Sequence, residues 1–97
     1  MASTPEAKVK SKVVAILKAY GVYYFFPVMS GFGRSGIPDI ICCYKGRFLA
    51  IECKAGNNTT TPLQDREIAD IIEAGGTALV IREDNLHLVE AYLKLVA

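Results

Sequence analysis

Residues 37–55 read IPDIICCYKGRFLAIECKA, and the fold turns on how this stretch is divided. Lys45-Gly46 suits a tight hairpin turn, which splits it into two strands, IPDIICCY (37–44) and RFLAIECKA (47–55). Phe48, Leu49, Ala50 and Ile51 form an apolar run that marks the second strand as buried. Side chains alternate along a strand, so Glu52 and Lys54 share one face while Ile51 and Cys53 share the other. Two charges on an otherwise apolar strand need a reason: a surface pair, a buried ion pair, or half of a site.

The flanking sequence supplies the other elements. STPEAKVKSKVVAILKAYG (3–21) is a helix, with Ser3 or Thr4 as cap, Pro5 in the first turn and Gly21 at the end. Val9, Val13, Ile16, Leu17 and Tyr20 make its apolar stripe, and Glu6 falls at the same angular position. VYYFFPV (22–28) reads as a first strand whose aromatics point to a core, and MSGFGRSG (29–36) as a glycine-rich loop. After GNNTTT, Thr61 caps a helix with Pro62 at its first position, running to Gly75-Gly76. TALVIR (77–82) is a fourth strand, and Asp84 or Asn85 starts a last helix. The order αβββαβα makes this an α/β fold. The helix after residue 62 is the crossover between two strands, so a mixed four-stranded sheet flanked by helices is expected.

The 97 residues suit one domain spanning 1–97, with 52% apolar and 22% charged residues. A net charge of +1 does not announce a nucleic-acid binder, so such a role has to come from local clustering. No segment is long and apolar enough to span a membrane, and the start lacks a signal-peptide stretch, so a cytoplasmic location is expected. The three cysteines have neither disulfide-framework nor metal-ligand spacing and read as reduced, packed thiols.

A two-residue turn at Lys45-Gly46 pairs Tyr44 with Arg47 and, carried along the strands, Asp39 with Glu52. Directly opposed Cβ atoms lie ~4.5–5.5 Å apart, and like charges there are destabilising. A shared cation removes the conflict, and magnesium asks for oxygen ligands of this kind. Lys54, one strand step away on the same face, is placed to hold an attacking water or to stabilise charge on a phosphate. That is the chemistry of metal-assisted phosphodiester hydrolysis. The plainer alternatives are an exposed Glu52–Lys54 pair worth under ~1 kcal/mol and an Asp39 that caps a turn. E-x-K alone decides nothing, since Glu6-Ala7-Lys8 matches it too.

Taken together, these residues resemble the PD-(D/E)xK nuclease signature: Pro38-Asp39, then Glu52-Cys53-Lys54 on the next strand. The wider pattern is similar to the VRR-NUC branch and covers nearly the whole chain. Glu6 stands in the first helix, GIPD precedes the second strand, IECKAG ends the third, and TPLQ and AGGTALVIR follow. The resemblance implies a restriction-endonuclease-like core and a magnesium- or manganese-dependent nuclease. It makes Asp39 and Glu52 metal ligands, the Cys53 backbone carbonyl a further one, and Lys54 the catalytic lysine. Glu6 matches the acidic residue of the first helix and Gln64 the family's glutamine. The resemblance further implies that a stand-alone domain acts as a symmetric homodimer on branched DNA such as four-way (Holliday) junctions. The family's final V-R-R motif here reads Val80-Ile81-Arg82, which removes the middle arginine.

Other readings stay open at this level. Glu6 also suits a helix N-terminus electrostatically, and Gln64 also completes a capping box with Thr61. Arg34 is either a DNA-phosphate contact or an ordinary loop arginine, and Arg82 either a DNA contact or part of a structural ion pair. Lys8, Lys10 and Lys12 read as a solvated helix face, and His87 carries no role. A non-catalytic module that binds DNA or protein is the rival function, against which the intact Asp39, Glu52 and Lys54 argue. A sequence-reading restriction enzyme is disfavoured because no part of the chain is spare for base readout.

Overall fold

The turn between the two central strands fixes everything else. In the computed structural model, which describes residues 4–28 and 33–97, Lys45 and Gly46 have φ of 53° and 78°. Positive φ at both positions is type I′ geometry, whose twist matches that of antiparallel strands. Tyr44 therefore pairs with Arg47, and the register runs unbroken to Ile40 opposite Ile51.

Around this hairpin the elements follow the expected order: α1 (Pro5–Ala19), β1 (Tyr23–Phe25), β2 (Ile40–Tyr44), β3 (Arg47–Cys53), α2 (Pro62–Glu73), β4 (Thr77–Ile81) and α3 (His87–Val96). The sheet order is β1-β2-β3-β4, with β1, β2 and β3 antiparallel and β4 parallel to β3. This is the mixed α/β sheet read from the sequence, the parallel pair following from the α2 crossover.

All four strands are shorter than expected, β4 by the single residue Arg82, and prolines account for two of them. Pro27 and Pro38 have no N–H to give a ladder, so β1 stops at Phe25 and β2 starts at Ile40. At β3, the ladder with β4 closes at Cys53 opposite Ile81, and Lys54 N–H donates to the Ile81 carbonyl just beyond. Thr4 caps α1 by accepting from Ala7 N–H, while Ser3 lies outside the described residues. The last helix starts at His87 instead of Asp84 or Asn85 because Asn85 is engaged elsewhere. Its side chain accepts from Arg82 N–H at 2.6 Å and donates to the Val80 carbonyl at 3.0 Å, closing the turn after β4.

One face of the sheet carries Ile40, Cys42, Leu49, Ile51, Cys53 and Ile81, packed with Val9, Val13 and Leu17 of α1 and Val89 and Leu93 of α3. The opposite face is covered only in part, by α2. The aromatics of residues 22–28 are accordingly less buried than expected: Tyr23, Phe25 and Phe26 are 69%, 48% and 45% exposed. A three-residue edge strand has room to bury only alternate residues, and Tyr23 and Phe25 point away from α1 and α3. Cys43 is likewise exposed, whereas Cys42 and Cys53 are buried, and all three thiols are free. No helix among the described residues is long and apolar enough to cross a membrane.

The loop before β2 is pressed onto α2 at Gly36. Its φ is +80°, and a Cβ there would stand 2.5 Å from the Leu63 carbonyl carbon and oxygen. Backbone cannot move aside as a side-chain tip can. Gly36→Ala is expected to lower unfolding free energy by at least ~2 kcal/mol, combining left-handed strain with overpacking. Urea denaturation checks this, and an unchanged midpoint would exclude the close approach.

Candidate active site

Three chain segments bring carboxylates to one end of the sheet. Asp39 stands one residue ahead of β2, where its Oδ2 accepts the Cys53 N–H at 2.8 Å. Glu52 is the penultimate residue of β3 and is 3% exposed. Glu6 comes from the first turn of α1, on the solvent side of the recess. Its helical angle aligns it with Val9 and Val13, yet it is exposed where they are buried. Each of the three offers an oxygen within 4.8 Å of the others. The ladder itself ends at Ile40–Ile51, so Asp39 meets Glu52 just beyond the last formal pair.

The electrostatics fit a site that wants a positive charge. Burial pushes the Glu52 carboxyl up to about 8, with Asp39 and then Glu6 adding to the effect and Lys54 opposing it. Lys54 Nζ lies 3.7 Å from Glu52 Oε2, and its side chain is 11% exposed. This is not the half-exposed strand pair of the plainer reading. Burial pushes the Cys53 thiol up to about 12, so the sulfur stays protonated and the available donors are oxygens. A set of three carboxylates suits a hard divalent cation.

Gln64 makes its capping contacts and a contact to Glu52 at once. Its Oε1 accepts from Thr61 N–H at 2.9 Å in a complete capping box, while its Nε2 donates to Glu52 Oε2 at 3.3 Å. A primary amide has a separate acceptor and donor, which is what allows both. The start of α2 thereby orients Glu52.

The two arginines are held by the protein. Arg34 Nη2 lies 2.9 Å from Glu67 Oε2, a buried carboxylate of α2, and 3.8 Å from Asp70. Arg82 donates through Nε and Nη2 to the Asn58 carbonyl at 3.2 and 2.8 Å, bracing the loop after β3. That contact is a hydrogen bond to backbone and not an ion pair. Sequence reasoning did not single out Glu67, and it read Lys10 as part of a solvated helix face, whereas Lys10 is half-buried. Lys10 lines the recess with Glu6, Asp39 and Cys53. Its spacing from Glu6, four residues along one helix face, was the available signal. Glu67 sits three residues beyond Gln64 on the face that meets the loop.

Comparison with known proteins bears on the family and the fold. No family model matches the sequence. A protein of Acyrthosiphon pisum secondary endosymbiont phage 1, described as "Putative nuclease p44", is 32% identical over 78 residues, covering 79% of this chain and 81% of the phage protein. A solved structure described as a VRR_NUC domain superposes with a TM-score of 0.74 at 23% identity, covering 95% of this chain and 97% of that one. The chain thus belongs to the family of the phage protein and is built on the VRR-NUC fold.

Proposed function

We propose that the protein is a magnesium- or manganese-dependent DNA endonuclease acting on branched DNA such as four-way junctions. The observation that carries this reading is the convergence of Glu6, Asp39 and Glu52 oxygens within 4.8 Å of one another, with Lys54 beside them. Asp39 and Glu52 would hold the metal, with the Cys53 carbonyl and Glu6 completing the oxygen set. A bound divalent ion supplies Lewis-acid polarisation of the scissile phosphate and lowers the pKa of a coordinated water. Lys54, desolvated and cationic, holds the attacking water or neutralises charge developing on the phosphate. Gln64 keeps Glu52 in one orientation through its amide. Arg34, whose side chain is 69% exposed beside Glu67, and Arg82, held at the Asn58 carbonyl, keep further N–H donors that would meet DNA phosphates.

A homodimer accompanies this reading. The partly covered face of the sheet exposes Tyr23, Phe25 and Phe48, more aromatic surface than a small domain usually leaves open. Light scattering at micromolar concentration is expected to give about twice the 10.6 kDa chain mass, and a value near the single-chain mass excludes the dimer. The function itself is tested with labelled linear, flap and four-way DNA, with and without magnesium. Cutting of the four-way substrate only with metal supports the reading. Binding without cutting under every metal condition favours a non-catalytic module.

A further inference from the structure

A groove beside the candidate metal site has no part in the chemistry above. It runs along α1 and is lined by Ala7, Lys10, Ser11, Val14, Ala15 and Lys18 together with Phe26. Its volume of 520 Å³ falls within the range of small-molecule sites. We propose that this groove, lined by Phe26, Lys10 and Lys18, receives an unpaired segment of the nucleic-acid strand leaving the metal site. This inference rests on the nuclease reading and adds a subsite to it.

Position is the first argument. Ala7 and Lys10 line both the groove and the recess that holds Glu6 and Asp39, so the two are continuous. Phe26 follows the end of β1, on the same end of the sheet as the start of β2 and the end of β3. From Ala7 to Lys18 the helix rises roughly 16 Å at 1.5 Å per residue, a length for a few nucleotides and not for a long duplex.

Chemistry is the second. Ala7, Ser11 and Ala15 in the lining are small, and Val14 adds an apolar surface, so a flat ring can lie against the helix. Phe26 is 45% exposed, and Lys10 Nζ stands 4.1 Å from its ring centroid. That cation–π contact fixes the ring. An aromatic ring with lysines in the same lining matches a base with its phosphates, because any base has a face to stack and any phosphate a charge to pair. The recess on the other side of Glu6 differs: it is lined by Asn57, Asn58 and Glu83, and by no lysine or arginine. The two lysines therefore favour one side of the site for the emerging strand.

The chain contains no tryptophan, so Phe26→Trp places a single reporter in the groove. Titration with an oligothymidylate of eight nucleotides, in EDTA, is expected to quench its emission saturably. Phe26→Ala is expected to bind that oligonucleotide about tenfold more weakly than wild type, in keeping with loss of one stacked base. Independently, Lys18→Ala is expected to reduce the slope of log affinity against log salt by about 0.7. Absent quenching together with unchanged affinity in Phe26→Ala overturns the proposal. So does Trp emission that shifts with protein concentration alone, which would place a second copy in the groove. Wild-type cleavage in magnesium is measured alongside. Cutting without oligonucleotide-dependent quenching removes the subsite alone, whereas quenching without any cutting removes the nuclease reading and leaves the groove as a strand-binding site.

Discussion

Lys54→Ala protein is expected to cut DNA at least about a hundredfold more slowly than wild type in magnesium, the scale of losing one charge-stabilising donor. Asp39→Ala and Glu52→Ala are expected to abolish cutting. Lys54 is not a surface lysine: its side chain is 11% exposed and its Nζ lies 3.7 Å from Glu52. A buried ammonium facing an acidic recess has either a structural or a catalytic duty, and two further measurements separate them. In calcium, which is larger and looser in geometry, DNA binding by Lys54→Ala should persist while cutting is lost. Lys54→Arg keeps the charge but replaces a compact ammonium with a planar fork, and its activity should stay low. Wild-type cutting by either variant would reduce Lys54 to an ion-pair partner.

The second large effect concerns stability and needs no substrate. Metal-free Asp39→Asn is expected to melt at or above wild type, against the usual trend for substitutions. Asp39 adds to the forces holding the Glu52 carboxyl up at about 8, and an amide removes that repulsion at nearly constant shape. The amide oxygen can still accept the Cys53 N–H that Oδ2 holds at 2.8 Å. Asp39→Ala differs because it leaves that buried N–H without its acceptor, a loss of about 1–3 kcal/mol. Its melting point should fall by several degrees, since ~1 kcal/mol moves a domain of this size by about 4–8 °C. Magnesium should raise the wild-type melting point, with ~2.7 kcal/mol of linkage at ~100 times its dissociation constant. Asp39→Asn should lose most of that rise.

The same carboxyl sets a pH dependence. The folded pKa of Glu52 is raised from 4.5 to about 8, so the folded protein keeps a proton that the unfolded chain has released. Its contribution to stability is complete below about 4.5 and is lost as pH rises through 8. Thermal melts in EDTA should therefore show wild type losing stability across this window. Glu52→Gln, which cannot ionise, should lose less. Parallel curves for the two would mean that Glu52 is not desolvated.

The sheet and the hairpin register were legible because their signals are local. Lys45-Gly46 has room for little besides a type I′ turn, and the alternation of β3 then assigns every face. Glu52 with Lys54, and Asp39 opposite, followed from that register alone. What the sequence hid depends on contacts between distant elements. Arg34 reads as a free loop arginine until α2 brings Glu67 against it. Asn85 reads as a cap until its side chain is seen bridging Arg82 and Val80. Phe26 reads as core because nothing in VYYFFPV tells how short the edge strand is. Gln64 reads as a cap, and only the fold shows that the other end of its amide meets Glu52.

The parallel pairing of β3 with β4 has a consequence for how the protein is made. Glu6, Asp39, Glu52, Lys54 and Gln64 all precede, along the chain, the strand that walls in β3. Until Thr77–Ile81 pairs alongside and Val89 and Leu93 pack down, Glu52 and Lys54 remain hydrated side chains of an incomplete sheet. Long-range pairing of this kind comes late because loop closure has to be met first. Thr77–Ile81 and the helix after it thus supply none of these five side chains yet complete their enclosure. Before its last elements dock, the chain holds these side chains without the enclosure that the finished sheet gives them.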